Sequence, residues 1–238
     1  MRDVKLSGKL HMRNRNQAET LFIKAKANFG EPRNEKRYRT GFKVLKMAAE
    51  LGHTGADEWL GAAYDYGLGT RPNRLRAFRH YLKAAKAGNA NAQYHVGVFY
   101  FEGRAVPKKH RAAVRWFIRA AKQQDPEAMH ALGCCYRFGW GVKRNMLRGF
   151  ELELAAARKG VLDAQFSVGV CFSRGEGVES NSEQAFRWYL KAAGRGHADA
   201  AHNVGHFYEM GRGIRPNTRK ARTWYARATK LRAMSGNS

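Results

Sequence analysis

Glycine recurs at a fixed interval through most of this chain, and that interval is the strongest constraint on its fold. One series places a glycine every 36 residues, at Gly61, Gly97, Gly133, Gly169 and Gly205. A second series keeps the same period, at Gly67, Gly103, Gly139, Gly175 and Gly211. No insertion or deletion interrupts the register from residue 53 to residue 232. Such a period indicates a repeat protein whose units stack on one another.

Columns of other residue types share this period and indicate what each repeat contains. Aromatic residues form one column, at Tyr64, Tyr100, Tyr136, Phe172 and Tyr208, and alanines form another, at Ala84, Ala120, Ala156, Ala192 and Ala228. In the second repeat, Ala92, Val96 and Phe99 follow helical spacing, and Gly103 is suited to end that helix. A second helix is expected to begin near His110. Each repeat is therefore predicted to be a pair of helices joined by a tight loop.

The first glycine series falls in the middle of the first helix of each repeat. Glycine at such a position costs about 1 kcal/mol relative to alanine. Its recurrence therefore needs a packing reason, and we expect another helix to pass too close to Gly97 and its equivalents for any side chain.

The period divides most of the chain into tandem repeats, at residues 53–88, 89–124, 125–160, 161–196 and 197–232. Residues 17–52 fit a degenerate N-terminal capping repeat, because Gly41 to Gly52 aligns with the second helix of a repeat. Terminal repeats are often atypical. We interpret residues 1–16 as a basic N-terminal arm and residues 233–238 as a polar tail.

These columns resemble the Sel-one-like repeat (SLR), a branch of the tetratricopeptide-repeat superfamily. The segments ALGCCYRFGWGV, SVGVCFSRGEGV, AFRWYLKAAGRG and NVGHFYEMGRGI carry the pattern, and the resemblance extends from Gly41 to Arg232. It implies an all-α fold, an α/α right-handed superhelix (solenoid) of antiparallel helix pairs, and a role as an adaptor that holds other proteins together. In the third repeat, Leu152 and Glu153 replace the Trp-Tyr pair of the pattern, and a looser joint is expected there.

Three cysteines are too few for a disulfide framework in a chain of 238 residues, so a reducing compartment is the default interpretation. Cys135 and Cys171 occupy one column of successive repeats, where Phe99 and Phe207 stand in others. We predict that both cysteines fill the core, since stacked helices lie ~8–10 Å apart, which is long for a disulfide.

Positive charge dominates the composition, with 44 Lys and Arg against 19 Asp and Glu and a formal net charge of +25. This excess favours an anionic partner, such as nucleic acid, an acidic protein face or an anionic membrane surface. Cations also recur on one face of the second helices, and they predict a basic ridge formed by Arg76, Arg79, Lys83, Lys86, Arg111, Arg115, Arg119, Lys122, Arg187, Lys191, Arg195, Lys220, Arg227 and Lys230. A solvated face is the simpler explanation, but solubility alone does not require so large a charge.

The first helices carry columns that vary between repeats, and in a solenoid of this kind those columns face the concave surface. The predicted concave groove is formed by Trp59, Tyr94, His95, Phe101, His130, Arg137, Phe166, His202 and His206. Aromatic and imidazole side chains beside arginine suit a peptide or the bases of a single nucleic-acid strand. Packing between neighbouring repeats explains some of these residues equally well.

Nine histidines raise the question of a metal site or a catalytic site. His202 and His206 lie four residues apart and point the same way on a helix. A zinc site needs a further protein ligand, and no convincing thiolate or carboxylate partner stands out. The Gly-x-Gly turns recur with the repeat and are structural. No metal, cofactor or catalytic residue is therefore predicted, and the chain is not expected to be an enzyme.

Together these observations predict a non-catalytic scaffold that binds an acidic protein or peptide through the groove. The alternative is an RNA- or DNA-associated protein, such as a peripheral ribosomal or ribonucleoprotein component, that binds phosphate through the ridge. No apolar run is long enough to span a bilayer or to form a signal-peptide core. A cytoplasmic location is expected, with mitochondrial import through residues 1–16 as the minor alternative.

Overall fold

The computed structural model describes residues 2–30 and 34–235, and side chains from residue 14 to residue 234 within those ranges. This part of the chain forms twelve α-helices and no strand, divided into two compact units between Gln123 and Gln124. The first unit contains α1 (Arg2–Lys26), α2 (Glu35–Glu50), α3 (Thr54–Tyr66), α4 (Arg74–Lys86), α5 (Ala90–Glu102) and α6 (His110–Lys122). The second unit contains α7 (Pro126–Phe138), α8 (Met146–Arg158), α9 (Leu162–Arg174), α10 (Ser182–Gly194), α11 (Ala198–Met210) and α12 (Thr218–Ser235).

The predicted helix pairs are confirmed, and the second glycine series ends the first helix of every pair. Those C-cap residues adopt the left-handed conformation, at Gly67, Gly103, Gly139, Gly175 and Gly211. Each cap N–H donates to the carbonyl four residues earlier; that of Gly103, for example, donates to Phe99. A residue with a Cβ is strained in this conformation, which explains why glycine recurs there.

The first glycine series lies where the two helices of a pair touch, as predicted. A Cβ on Gly97 would lie 2.5 Å from the Phe117 ring, and one on Gly169 would lie 2.6 Å from the Tyr189 ring. Real Cβ atoms essentially never approach other atoms so closely. The missing side chain is therefore what admits a bulky residue from the second helix.

The junction from each second helix to the next first helix is also repeated. The N–H of Asn89 donates to the carbonyl of Ala84 at 3.1 Å, and the N–H of His197 donates to that of Ala192 at the same distance. The residue before each of these donors has positive φ, as Gly88 has at 99°. Every copy within a unit is thus closed by the same backbone geometry.

Each unit has its own apolar core. In the first unit, Leu45 and Leu60 pack with α1, and Tyr81 and Phe99 fill the next layer. In the second unit, Tyr189 packs with residues of α9 to α12. Cys135 and Cys171 are 1% and 0% exposed and unpaired, so the prediction that they fill the core is confirmed.

The ends of the chain differ from the expected segments. The helix α1 begins at Arg2, so most of the segment interpreted as an arm is continuous with the first capping helix. No proline interrupts residues 2–26, and Ala18 and Ala25 of this helix are buried in the first unit. At the other end α12 continues to Ser235, inside the expected tail. Residue 1 and residues 236–238 lie outside the described part of the chain.

Candidate protein-interaction surfaces

Three predicted groove residues lie on α5, and all three are half-buried. The His95 imidazole stacks on the ring of Tyr81, with centroids 4.5 Å apart and planes 17° apart. Tyr94 and Phe101 both pack against the Phe117 ring, at centroid distances of 6.0 Å and 6.4 Å. Each residue therefore packs against the second helices of its unit and offers only part of its surface to a partner.

The His95 imidazole is held neutral by its surroundings. Burial, with a smaller contribution from the Arg104 guanidinium, lowers the pKa of His95 to about 4. Burial also raises the pKa of the Tyr81 hydroxyl. At neutral pH this stacked pair is an uncharged aromatic surface.

Trp59 on α3, another predicted groove residue, packs against the end of α1. Its ring lies 5.7 Å from that of Phe29, and the Lys26 ammonium lies 5.4 Å from its centroid. Burial raises the pKa of the neighbouring Glu58 to about 6, although Lys26 opposes the shift. Trp59 therefore serves packing between helices, which is the alternative explanation that the sequence left open for the groove residues.

In the second unit, the groove residues of α9 and α11 differ in exposure. Phe166 stacks on the imidazole of His197, with centroids 4.4 Å apart. His202 is exposed, and His206 lies 3.8 Å from the carboxylate of Glu209. His202 is therefore more accessible than the half-buried Phe166, although its ring lies 5.1 Å from that of Tyr225.

The remaining groove residues, His130 and Arg137 on α7, belong to a polar cluster around Glu153 of α8. Glu153 is 0% exposed and Arg137 is 7% exposed, so Arg137 does not line a surface. Its Nη2 lies 3.5 Å from Glu153 Oε1, and the Cys134 thiol donates to the same oxygen at 3.2 Å. His130 Nδ1 lies 4.0 Å from that oxygen. Attraction to a buried carboxylate is the reason that Arg137 turns inward.

The cluster keeps its thiols protonated. Burial and the Glu153 carboxylate raise the pKa of the Cys134 thiol, and the same two causes raise that of Cys171 to about 12. Burial raises the pKa of Glu153, opposed by the Arg137 guanidinium. A second carboxylate, Glu176, lies 3.5 Å from Arg137 Nη1. One buried guanidinium thus stands between two carboxylates, and thiols complete the hydrogen bonds of Glu153.

All the ridge residues predicted from the sequence are exposed. In three repeats a ridge cation lies over an indole ring of its own helix at 4.5 to 5.1 Å, in the pairs Arg119–Trp116, Lys191–Trp188 and Arg227–Trp224. Lys83 contacts the buried carboxylate of Asp57 at 2.8 Å. The helix α8 contributes no residue to the ridge. The ridge cations therefore face solvent, although Lys83 and Arg187 already contact the carboxylates of Asp57 and Glu183.

A cleft of about 450 Å³ opens at the start of α6 in the first unit. Its lining is basic except for one alanine, and consists of Lys108, Lys109, His110, Arg111, Ala112 and Arg115. The N-cap residue Lys109 makes no side-chain hydrogen bond to the helix, so the first N–H groups have no side-chain cap. Helix N-termini attract anions.

The Sel1 repeat family model matches five consecutive segments of the chain, at residues 56–89, 90–125, 126–161, 162–197 and 198–232. The chain belongs to the Sel1 repeat family. Sel1 repeat proteins generally act as protein-interaction scaffolds and are typically non-catalytic. The resemblance and the fold class predicted from the sequence are confirmed.

Solved structures agree with this assignment. A Sel1 repeat protein from Oxalobacter formigenes is 28% identical, with a TM-score of 0.79 over 90% of this chain and 82% of that one. A protective antigen of uropathogenic Escherichia coli with an SLR fold is 27% identical, with a TM-score of 0.80 over 96% of this chain, which spans 48% of the antigen. An immunity protein from Pseudomonas aeruginosa, 19% identical with a TM-score of 0.56 over 90% of this chain and 82% of that one, shares the fold. No curated protein matches the chain.

None of the described helices is both long and apolar enough to cross a membrane. Cys134 and Glu153 of this Sel1 repeat chain were not predicted from the sequence as partners of His130. Two signals were present. Cys134 follows His130 by four residues and so shares its helix face, and Glu153 stands where Tyr189 and Tyr225 stand in later repeats.

Proposed function

We propose that this Sel1 repeat chain is a non-catalytic adaptor that binds an acidic protein partner through the first helices of its repeats. The observation that carries the proposal is the partial exposure of aromatic and imidazole side chains on α5 and α11, chiefly Tyr94, His95 and His202. Rigid aromatic side chains supply contact area at low entropic cost and are enriched in protein interfaces.

The charge of the chain supports an acidic partner. A net charge of +25 with exposed ridge cations attracts a negatively charged surface before contact. Such attraction raises the association rate and excludes basic partners more than it adds final affinity. The partner is therefore expected to be recognised by charge at long range and by the groove residues on contact.

The experiment is capture of the native partner by crosslinking, followed by binding measurements with two matched double variants. Tyr94→Ala with His202→Ala removes partly exposed rings, one from each unit. Arg79→Glu with Arg115→Glu reverses two exposed ridge cations and leaves the groove residues intact. The first variant should weaken binding at least about tenfold through faster dissociation, and the second should mainly slow association. Unchanged affinity in the first variant would contradict binding through the first helices.

Phosphate binding to RNA or DNA is a second candidate function, and the basic cleft at the start of α6 favours it. Its cations surround an open volume beside a helix N-terminus that lacks a side-chain cap. Binding of this kind weakens by orders of magnitude between ~50 mM and ~200 mM salt because it releases counterions. Arg111→Glu with Arg115→Glu should reduce the steepness of that salt dependence for a single-stranded RNA. Failure of the wild-type chain to retain RNA at ~50 mM salt would exclude this function.

A further inference from the structure

We propose that His130, Cys134 and Glu153 form a zinc-binding site between α7 and α8. The Cys134 Sγ atom lies 3.2 Å from Glu153 Oε1 and 4.0 Å from His130 Nδ1. His130 Nδ1 lies 4.0 Å from Glu153 Oε1, and the three ligand atoms all fall within 4.8 Å of one another. A tetrahedral zinc ion with bonds of ~2.0–2.3 Å separates its ligands by about 3.3–3.8 Å. Small side-chain rotations bring the three groups to that spacing.

The donor set selects the metal. An imidazole, a thiolate and a carboxylate suit zinc, whereas magnesium and calcium take oxygen ligands. Three protein ligands leave a fourth position for water, as in zinc sites that are open on one side. Here the open side is at the His130 side chain, which is 19% exposed, whereas that of Glu153 is 0% exposed.

The position of the cluster in the repeat supports the same inference. The residues equivalent to Glu153 in the other repeats are Tyr81, Phe117, Tyr189 and Tyr225, and those equivalent to Cys134 are Ala62, Val98, Val170 and His206. A carboxylate and a thiol therefore enter the third repeat together, at positions that meet across a helix pair. A carboxylate inside a core is costly without strong partners. Arg137 is such a partner without metal, and a zinc ion supplies a reason for the thiol that accompanies the carboxylate.

The positive charge of Arg137 disfavours a cation at this place, and the negative charges of the neighbouring groups offset it. Its Nη2 lies 3.5 Å from Glu153 Oε1, and its Nη1 lies 3.5 Å from Glu176. Zinc binding releases the Cys134 proton to solvent, so the two carboxylates and the thiolate carry three negative charges. The Arg137 guanidinium and the zinc ion carry three positive charges. A second guanidinium, that of Arg174, lies 3.6 Å from Glu176 and adds one positive charge at the exposed edge of the cluster.

The test uses the full-length chain, reduced and freed of metal with a chelator, and titrated with zinc alone and with cobalt(II) alone. One zinc ion should bind per chain, and cobalt should give a thiolate-to-metal charge-transfer band in the wild type. Cys134→Ser should abolish that band and weaken zinc binding by more than about 100-fold, the upper range for loss of an outer-shell partner. The neighbouring Cys135→Ser, at a residue 1% exposed to solvent, should leave both readouts unchanged.

Histidine variants separate this site from surface binding. His130→Gln should weaken zinc binding as Cys134→Ser does, whereas His202→Gln, at the equivalent column of the fifth repeat, should not. Zinc binding that survives Cys134→Ser and His130→Gln, or that is lost in His202→Gln, would overturn the proposal. Absence of the charge-transfer band from the wild-type cobalt complex would also overturn it, without reference to the folding of any variant.

Discussion

Glu153 faces Gly133 in the same slot that an aromatic ring fills in the neighbouring repeat. A Cβ on Gly133 would lie 2.6 Å from Glu153 Cγ, and a Cβ on Gly169 would lie 2.6 Å from the Tyr189 ring. A Cβ on Gly133 would also lie 3.0 Å from the Gly149 carbonyl oxygen, so the two helices keep their close approach while the occupant of the slot has changed from apolar to charged. The slot holds a carboxylate because Arg137 and the thiols of Cys134 and Cys171 reach it.

The close approach of paired helices predicts opposite effects for two glycine substitutions. Gly97→Ala forces a methyl group into the Phe117 ring and should lower the free energy of unfolding by about 1–3 kcal/mol, despite the better helix propensity of alanine. Gly194→Ala has nothing within 4 Å and should raise it by up to about 1 kcal/mol. Urea unfolding of both variants measures the difference. Equal effects would show that the contact with Phe117 does not select glycine.

The buried ion pair between Arg137 and Glu153 predicts that breaking it lowers stability, and that replacing both residues with those of the fourth repeat restores it. Glu153→Gln removes the charge that faces Arg137 and should destabilise the protein by about 3–5 kcal/mol. Arg137→Ser with Glu153→Tyr installs the residues of the fourth repeat, Ser173 and Tyr189, and should restore at least wild-type stability. Thermal unfolding of metal-free protein compares them. A double variant no more stable than Glu153→Gln would contradict this account.

His95 predicts a loss of stability in acid. Its pKa is about 4 in the folded chain, against 6.5 as the ordinary value, so the unfolded chain takes up a proton first as the pH falls. The free energy of unfolding therefore has its full value above pH 6.5, and it falls by up to about 3 kcal/mol as the pH approaches 4. His95→Asn, which copies Asn203 of the fifth repeat, should remove this part of the pH dependence. His202→Asn keeps His95 and should retain it, as denaturation measured from pH 7 to pH 4 would reveal.

Two residues with positive φ predict a gain in stability. Ala105 has φ 57° and Gln124 has φ 64°, and both stand in columns that hold glycine in other repeats. The left-handed conformation destabilises a residue that has a Cβ by about 1–2 kcal/mol. Ala105→Gly and Gln124→Gly should each stabilise the protein by about 1 kcal/mol, and Gly160→Ala should destabilise it by a similar amount. Chemical denaturation measures the free energy of unfolding of each variant. A glycine variant less stable than the wild type would contradict the positive φ at Ala105 or Gln124.

The repeats were predictable from the sequence because their packing is written into single positions. Position 97 has no room for a side chain beside the Phe117 ring, and Gly103 has positive φ, so glycine recurs with the period at both positions. The contact between Cys134 and Glu153 was not predictable in this way, since it joins side chains on two helices and depends on their directions. The inward turn of Arg137 had no sequence signal for the same reason. The burial of Ala18 and Ala25 on α1 was not predictable either, because the degenerate first repeat does not keep the column pattern of the later repeats.

The repeated junction has a consequence for how such a chain changes over generations. The N–H of Asn89 closes on Ala84 and that of His197 closes on Ala192, with the same length of chain between donor and acceptor. Unequal recombination between two copies adds or removes 36 residues and joins ends that already fit. Family members can therefore differ in the number of copies without evolving a new connection, while substitutions such as Glu153 give one copy a chemistry of its own.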